Sequence, residues 1–445
     1  DCTNNGEVYG RKDVGGIVGQ MEPYINMKLS ESGIGKIGQE VKALGIAMEE
    51  LENSADTGSL TLQKRVQRIR TYLGEVETTL KDAAQNPTES NVIPQLQAEI
   101  NILTKQLELL GRESIGSAAA IGNNIKGITS RTKSLSETFE NVMQEAENLA
   151  LSDFVADISD VNLEDATLGK VTKSTNGGRV YGDINVGGIT GTISLEYDLD
   201  PEDDLTADFS MKERRRYELT SIIYRCENTA MVSAKKDYVG GVCGRMDLGL
   251  ITDCEGYGTI YSESGDYVGG IAGITGSTGQ DSFAKCSLAG KNYIGGIVGS
   301  GITEDATGES STVRWCYSLV DVTGAQQFWG AIAGVNTGDY LECYFVSDEL
   351  PGINRTSYAE KAAPITYDEL LNVSGLPEEF KTFTLTFVVG DEVVYATTFE
   401  YGESFDEDIF PELPKDAVGS VHWDTAELQN LKKDTVVRAA YSNYL

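Results

Sequence analysis

The stretches CENTAMVSAKKDYVGGVCG, residues 226–244, and CEGYGTIYSESGDYVGGIAG, residues 254–273, say the same thing twice. Each opens on cysteine and runs through small and polar residues. Each closes on an apolar residue, two glycines, two small or apolar residues and a glycine. The glycine pair returns as VGGIVG at 14–19, VGGITG at 186–191 and IGGIVG at 294–299, with a degraded copy, FWGAIAG, at 328–334. Cysteine leads most copies, at Cys2, Cys226, Cys254, Cys286 and Cys316. Cys343 begins a last partial unit, and Ser174 takes the cysteine place in the second copy. From Cys226 to Cys343 the leading cysteines stand 28, 32, 30 and 27 residues apart.

A period near 30, rich in β-branched residues and glycine, predicts a solenoid; a propeller blade needs about 40 residues. The expected fold is a right-handed parallel β-helix. Each coil cannot bury its inner face alone, but coils stacked about 4.8 Å apart bury a continuous column. Val or Ile on both sides of the glycine pair is expected to point inward. The glycines are expected to allow a tight bend and a close approach of backbones. One Cys per coil is expected to form an inward ladder of small apolar side chains, with disulfides or metal ligation as the other readings. A phosphate-binding glycine loop needs a strand-to-helix context, and nothing helical follows these copies.

From Gly15 to Gly187 is a step of 172 residues, roughly 140 more than one period. There the pattern changes to steps of three and four. Ile34, Ile37, Val41, Leu44, Met48 and Leu51 form one seam; Leu62, Val66, Ile69, Leu73, Val76 and Leu80 form a second. Ile93, Leu96, Ile100, Leu103, Leu107 and Leu110 form a third, and a longer run goes from Ala118 to Leu149. These are heptad seams on four helices, separated by turn signals at 53–59, 85–90 and 111–114. An antiparallel four-helix coiled-coil bundle is expected, because an even number of helices returns the chain to its starting side. Gly35, Gly38 and Gly45 in the first helix, and Gly116, Gly122 and Gly127 in the last, lower helix propensity but would permit these two helices to pack closely.

Composition narrows the function. Net charge over the 445 residues is −33, from 69 acidic and 36 basic residues, which argues against nucleic acid and anionic membrane surfaces. No stretch approaches the roughly 20 apolar residues of a membrane span. Seven Cys with no CxxC pair give neither a disulfide framework nor a zinc ribbon. The one histidine, His422, is read as a surface or half-buried residue, which removes Ser-His-Asp, Cys-His and HExxH chemistry. No catalytic residue, metal ligand or cofactor is expected, and no ligand-binding residue can be named. Asp198, Asp200, Asp203 and Asp204 could collect calcium, but lack the Gly and terminal Glu of an EF-hand loop. Arg214, Arg215 and Arg216 are read as a solvated edge answering those acids. The 53 residues from Gly187 to Gly240 leave room for a coil without glycines.

The tail, TFTLTFVVGDEVVYATTFEYGESF, alternates polar and apolar residues through a turn at Gly-Asp, which is hairpin grammar. The expected organisation is a first β-helix coil at 1–27, the helical insertion at 28–165 and the main β-helix at 166–350. A linker with a short helix at YDELLN follows at 351–379, and a small module at 380–445. Residue 1 opens inside a copy of the motif, so the chain is expected to be a piece of a larger protein.

The VGGIVG and VGGIAG copies, with Cys-led lines between them, resemble the GLUG-motif repeats of large bacterial surface proteins. VGGIVGQMEPYI running into heptads looks like GLUG proteins of gut Firmicutes with a helical insertion. The tail, through HWDTAELQNLKKDTVVRAAY, is similar to the Listeria–Bacteroides repeat, a β-grasp-like module. It departs from that pattern at Val421–His422, where an aromatic residue and a glycine are usual. The resemblance implies extracellular display, on a Gram-positive cell surface or secreted, as an adhesin or scaffold binding a protein or glycan partner on a host or neighbouring cell. From the charge and the lack of a long apolar stretch, no nucleic-acid partner and no membrane insertion of these residues are expected, and a monomer is expected. GLUG-type repeats also precede the catalytic part of some IgA-cleaving zinc metalloproteases, but no such motif stands here. The alternatives are a β-helix carbohydrate-active enzyme, which would work with Asp, Arg and Lys, and a purely structural stalk.

Overall fold

The computed structural model describes residues 1–28, 31–54, 60–85, 92–113, 119–144, 155–161, 163–164, 166–194, 216–301, 310–335, 337–354, 360–390, 392–413, 420–423 and 428–442. Two compact units divide the chain: residues 1–23, 159–195 and 221–445 form one, and 24–158 with 196–220 the other.

In the first unit short strands stack in register into parallel sheets, the architecture of a β-solenoid. One sheet runs through Lys12–Gly15, Ile184–Gly187, Val239–Gly240, Val268–Gly269, Asn292–Gly295 and Gln327–Gly330. The next runs through Val18–Met21, Thr190–Ile193, Cys243–Met246, Ala272–Thr275 and Val298–Gly301. The first coil continues directly into the second despite the intervening chain: Thr3 pairs with Thr175, Val14 with Val186 and Val18 with Thr190. Val186 in turn pairs with Val239. The second and third copies are therefore adjacent coils, with no coil without glycines stacked between them. Val14, Val186, Val239, Val268 and Ile294, before the glycine pairs, are buried in one core with Ile189, Val242, Ile271 and Ile297 behind them.

The motif's glycines work by steric room. A Cβ on Gly240 would stand 1.9 Å from the Cys243 carbonyl of its own turn. On Gly241 it would meet the Gly270 carbonyl of the following coil at 2.1 Å, and on Gly244 the Val186 nitrogen of the preceding coil at 2.5 Å. A left-handed corner stands at the residue before the valine, not at the glycines of the pair. Asp13, Asn185, Tyr238, Tyr267, Tyr293 and Phe328 have φ of 55 to 66°. A second left-handed corner precedes the cysteine position, at Lys173, Arg225, Asp253, Asp281, Trp315 and Glu342, with φ of 47 to 55°. Such backbone costs about 1 kcal/mol or more per residue. Stacking offsets it. The Tyr238, Tyr267, Tyr293 and Phe328 rings form a ladder with centroids 5.1, 4.7 and 4.8 Å apart.

The stretch expected as a linker carries a further rung. Ala362–Pro364 pairs in parallel with Cys343–Phe345, with Ala362 opposite Cys343. A short helix follows at Tyr367–Leu371, closed by a capping box between Thr366 and Glu369. The hairpin at the Gly-Asp turn forms as Phe383–Val389 against Glu392–Phe399. Phe383–Val389 also pairs in parallel with Thr435–Ser442, whose other neighbour is Ser420–Trp423.

In the second unit α1 (Glu31–Ser54), α2 (Leu60–Gln85), α3 (Val92–Glu113) and α4 (Ala119–Gln144) share one apolar core. Helix α1 packs against α4 and α2, and α3 against α2 and α4. The described seam residues are buried, among them Val41, Leu44, Ile69, Leu103 and Leu135. The glycines do not make the α1–α4 contact close: a Cβ on Gly35, Gly38, Gly45 or Gly127 would meet nothing within 4 Å among the described residues. Gly116 lies outside the described residues. Arg216–Thr220 pairs with Tyr24–Lys28 and Val155–Asp157, so Arg216 begins a strand.

Candidate functional site

Asp198, Asp200, Asp203, Asp204, Arg214 and Arg215 lie outside the described residues. His422 is exposed beside Trp423, whose indole N–H donates to the Pro411 carbonyl at 2.9 Å.

The cysteine column is real but differs in one member. Register places Cys2, Ser174, Cys226, Cys254, Ser282, Cys316, Cys343 and Ala362 at one position of successive coils, as the strand following each shows. Cys286 lies four residues past that position, opposite Gly258. The serine keeps the role of the thiol: the Cys254 N–H donates to Ser282 Oγ at 3.2 Å. Two residues past the cysteine position runs a column that sequence reading missed, an asparagine ladder. Asn4 Nδ2 donates to Asn176 Oδ1, and Asn176 Nδ2 to Asn228 Oδ1, both at 2.7 Å. Asn176 and Asn228 are buried. A Cβ on Gly16 or Gly188 would strike these very side chains, at 2.5 and 2.3 Å from the Cγ atoms of Asn176 and Asn228. The signal was present as CTN, STN and CEN.

Outward from the cysteines, Glu227 and Glu255 stand opposite one another on successive coils, with Phe283 next in the row. With Arg225, Asp253 and Asp281 they line a hollow of about 480 Å³. Burial, then the facing Glu255 and Glu379, hold the Glu227 carboxyl above the ordinary carboxylate range. Burial likewise raises Glu255, against the lowering effect of the hydroxyl that Tyr257 donates at 2.5 Å. Asp281 is raised by burial and by Asp253. Farther along, Trp315 is exposed under the Arg314 guanidinium, 4.6 Å from the ring centroid, and its N–H donates to Glu342 at 3.0 Å. Carboxyls, a guanidinium and aromatic faces in one strip suit hydrogen bonding and stacking with a polar ligand. Among the described residues no group of three or more His, Cys, Asp or Glu is placed to hold a metal ion.

A larger hollow, about 870 Å³, lies in the seam between the coils and the C-terminal sheet. Its polar groups are already spent on holding the seam together. Lys285 Nζ donates to the Glu379 and Thr382 carbonyls at 2.8 and 2.7 Å, Lys433 pairs with Asp321 at 3.0 Å, and Lys432 pairs with Asp348. The corner strip is therefore the better candidate. No helix of the described residues is long and apolar enough to cross a membrane. Compared with protein-family models, curated proteins and solved structures, the chain finds no match.

Proposed function

We propose that this chain is a non-catalytic display scaffold of a bacterial surface protein, an adhesin in which stacked coils carry a helical insertion and present polar and aromatic strips to a protein or glycan partner. One observation carries the reading. The coil register runs unbroken from Thr3–Met21 into Thr175–Ile193 although the helices intervene in sequence. A stack that keeps its register across such a detour has a rigidity that a display role needs and a single-domain enzyme does not.

The finer assignments belong to the same proposal. We read α1–α4 as an antiparallel coiled-coil bundle, supported by the neighbour order α1–α2–α3–α4–α1 around one core. We read the C-terminal sheet as β-grasp-like, supported by its parallel central pair flanked by two antiparallel strands. Right-handed coiling follows from the rule that parallel crossovers obey. Membership of the GLUG and Listeria–Bacteroides repeat classes, and export to a Gram-positive surface, rest on the motif copies themselves.

The test is binding of the full chain to glycan and host-protein arrays, beside a variant whose residues 29–154 are replaced by a short Gly-Ser linker and a Trp315→Ala variant. Loss of signal in either variant supports an adhesin and locates the ligand. Absence of binding by the intact chain would leave a stalk, and turnover of a glycan would make it an enzyme.

A further inference from the structure

We propose that Cys226 with Cys254, and Cys316 with Cys343, are disulfide-forming pairs that staple successive coils of the solenoid to one another. The register carries the inference. Glu227 pairs with Glu255 and Tyr317 with Tyr344, so each pair of preceding cysteines stands directly opposite on neighbouring parallel coils. The Glu255 N–H donates to the Cys226 carbonyl and the Tyr344 N–H to the Cys316 carbonyl, both at 2.9 Å, which fixes that alignment. In-register neighbours lie about 4.8 Å apart, within the roughly 4.4–6.8 Å that Cα atoms span across a disulfide. All four side chains are buried and turned into the same core.

The pairing is exclusive. Ser174 lies on the far side of Cys226, Ser282 between Cys254 and Cys316, and Ala362 beyond Cys343. No cysteine of the four has a second thiol neighbour in the column. The remaining cysteines act as internal controls. Cys243 stands between Thr190 and Ala272, Cys286 faces Gly258, and Cys2 faces Ser174.

The oxidant is a low-molecular-weight disulfide such as glutathione disulfide. One cysteine thiolate attacks it, forming a mixed disulfide and releasing one glutathione thiolate. The facing thiolate attacks the protein sulfur of that mixed disulfide and releases the second. Two protein thiols are oxidised, one glutathione disulfide is reduced to two glutathiones, and the two protons pass to the glutathione thiols.

The full chain is unfolded in urea, refolded in a glutathione redox buffer and alkylated under denaturing conditions. Alkylation is expected to fall from seven cysteines to three, Cys2, Cys243 and Cys286, with peptides joining Cys226 to Cys254 and Cys316 to Cys343. Cys254→Ser is expected to free Cys226 alone and leave the Cys316–Cys343 peptide intact. Native chain held in the same buffer without unfolding is expected to reach the same end point more slowly, because the thiols lie in the core. A chain that keeps every cysteine alkylatable by both routes overturns the proposal, as does Cys243 or Cys286 in a cross-link.

Discussion

Lys285, on a central coil, buries its side chain and donates from Nζ to the backbone carbonyl of Glu379 at 2.8 Å. The same ammonium reaches the Thr382 carbonyl, approaches Asp434 at 3.5 Å and lies 4.1 Å from the Phe383 ring centroid. Burial lowers the affinity of Lys285 for its proton, and Asp434 restores part of it. The contact ties the C-terminal sheet to the coils beside the apolar seam of Tyr257, Phe283 and Phe380. Lys285→Met keeps the stem and removes the donor. Carbonyls left unpaired in a buried seam cost about 2 kcal/mol. Hydrogen exchange is expected to quicken in strands 383–389 and 435–442 while the strands at 239–246 keep their protection. Equal quickening in both would assign Lys285 to the general core.

The asparagine ladder makes a second prediction. Asn228 Oδ1 accepts from Asn176, while its Nδ2 donates to the Ala230 carbonyl at 2.9 Å. Asn228→Ala removes both bonds in a fully buried site and is expected to cost about 2–3 kcal/mol in urea unfolding. Asn228→Asp keeps the shape and the acceptor but cannot donate when ionised. Burial will raise the pKa of that carboxyl, so the variant's stability is present below the unfolded value, near 4, and is lost as pH rises through the folded one. At pH 7 it should therefore fall further than at pH 4. A pH-independent loss would mean that the charge is solvated and the ladder is open.

Much of this was legible in the sequence because it is periodic. Val239, Val268 and Ile294 announce an inward face, and Leu44, Ile69, Leu103 and Leu135 announce helix seams, since each repeats at the spacing its structure demands. Ser282 and Cys286 show where periodicity misleads: counting cysteines selects Cys286, but the ladder tolerates serine and holds its register by backbone bonds. Ala362 escaped for the same reason, having neither cysteine nor a glycine pair near it. Tyr238 and Trp315 at left-handed corners run against intrinsic preference, because stacking and coil-to-coil hydrogen bonds override it. The role of Asn228 depends on Asn176, 52 residues away, and only the register makes them neighbours.

One substitution tested at two glycines should act with opposite sign. Gly241→Ala drives a methyl to 2.1 Å from the Gly270 carbonyl of the next coil, a backbone atom that cannot turn aside. Overpacking of this kind is expected to destabilise by about 3 kcal/mol. Gly45→Ala, inside α1, meets nothing within 4 Å among the described residues. There the gain in helix propensity should stabilise by about 0.5–1 kcal/mol. Urea midpoints of the two variants check both, and a loss at Gly45 would show that the helix is closely packed at that face.

The facing carboxyls Glu227 and Glu255 set the last prediction. Both are held above the ordinary carboxylate value, chiefly by burial. A carboxyl whose folded pKa is raised contributes stability that is full below its unfolded value, about 4.3, and is lost as pH climbs through the folded one. At pH 7 each is a liability of the folded state. Glu255→Gln retains an oxygen for the Tyr257 hydroxyl and removes the charge, so its thermal midpoint should exceed that of the unmodified chain at pH 7. At pH 4 the difference should shrink toward zero. Glu227→Gln should act alike, and the double variant should gain less than the two together, because removing either charge already ends their repulsion. A gain that is the same at pH 4 and 7 would trace the effect to packing, and a loss at pH 7 would mean that a cation from the protein, such as Arg225, already balances the pair.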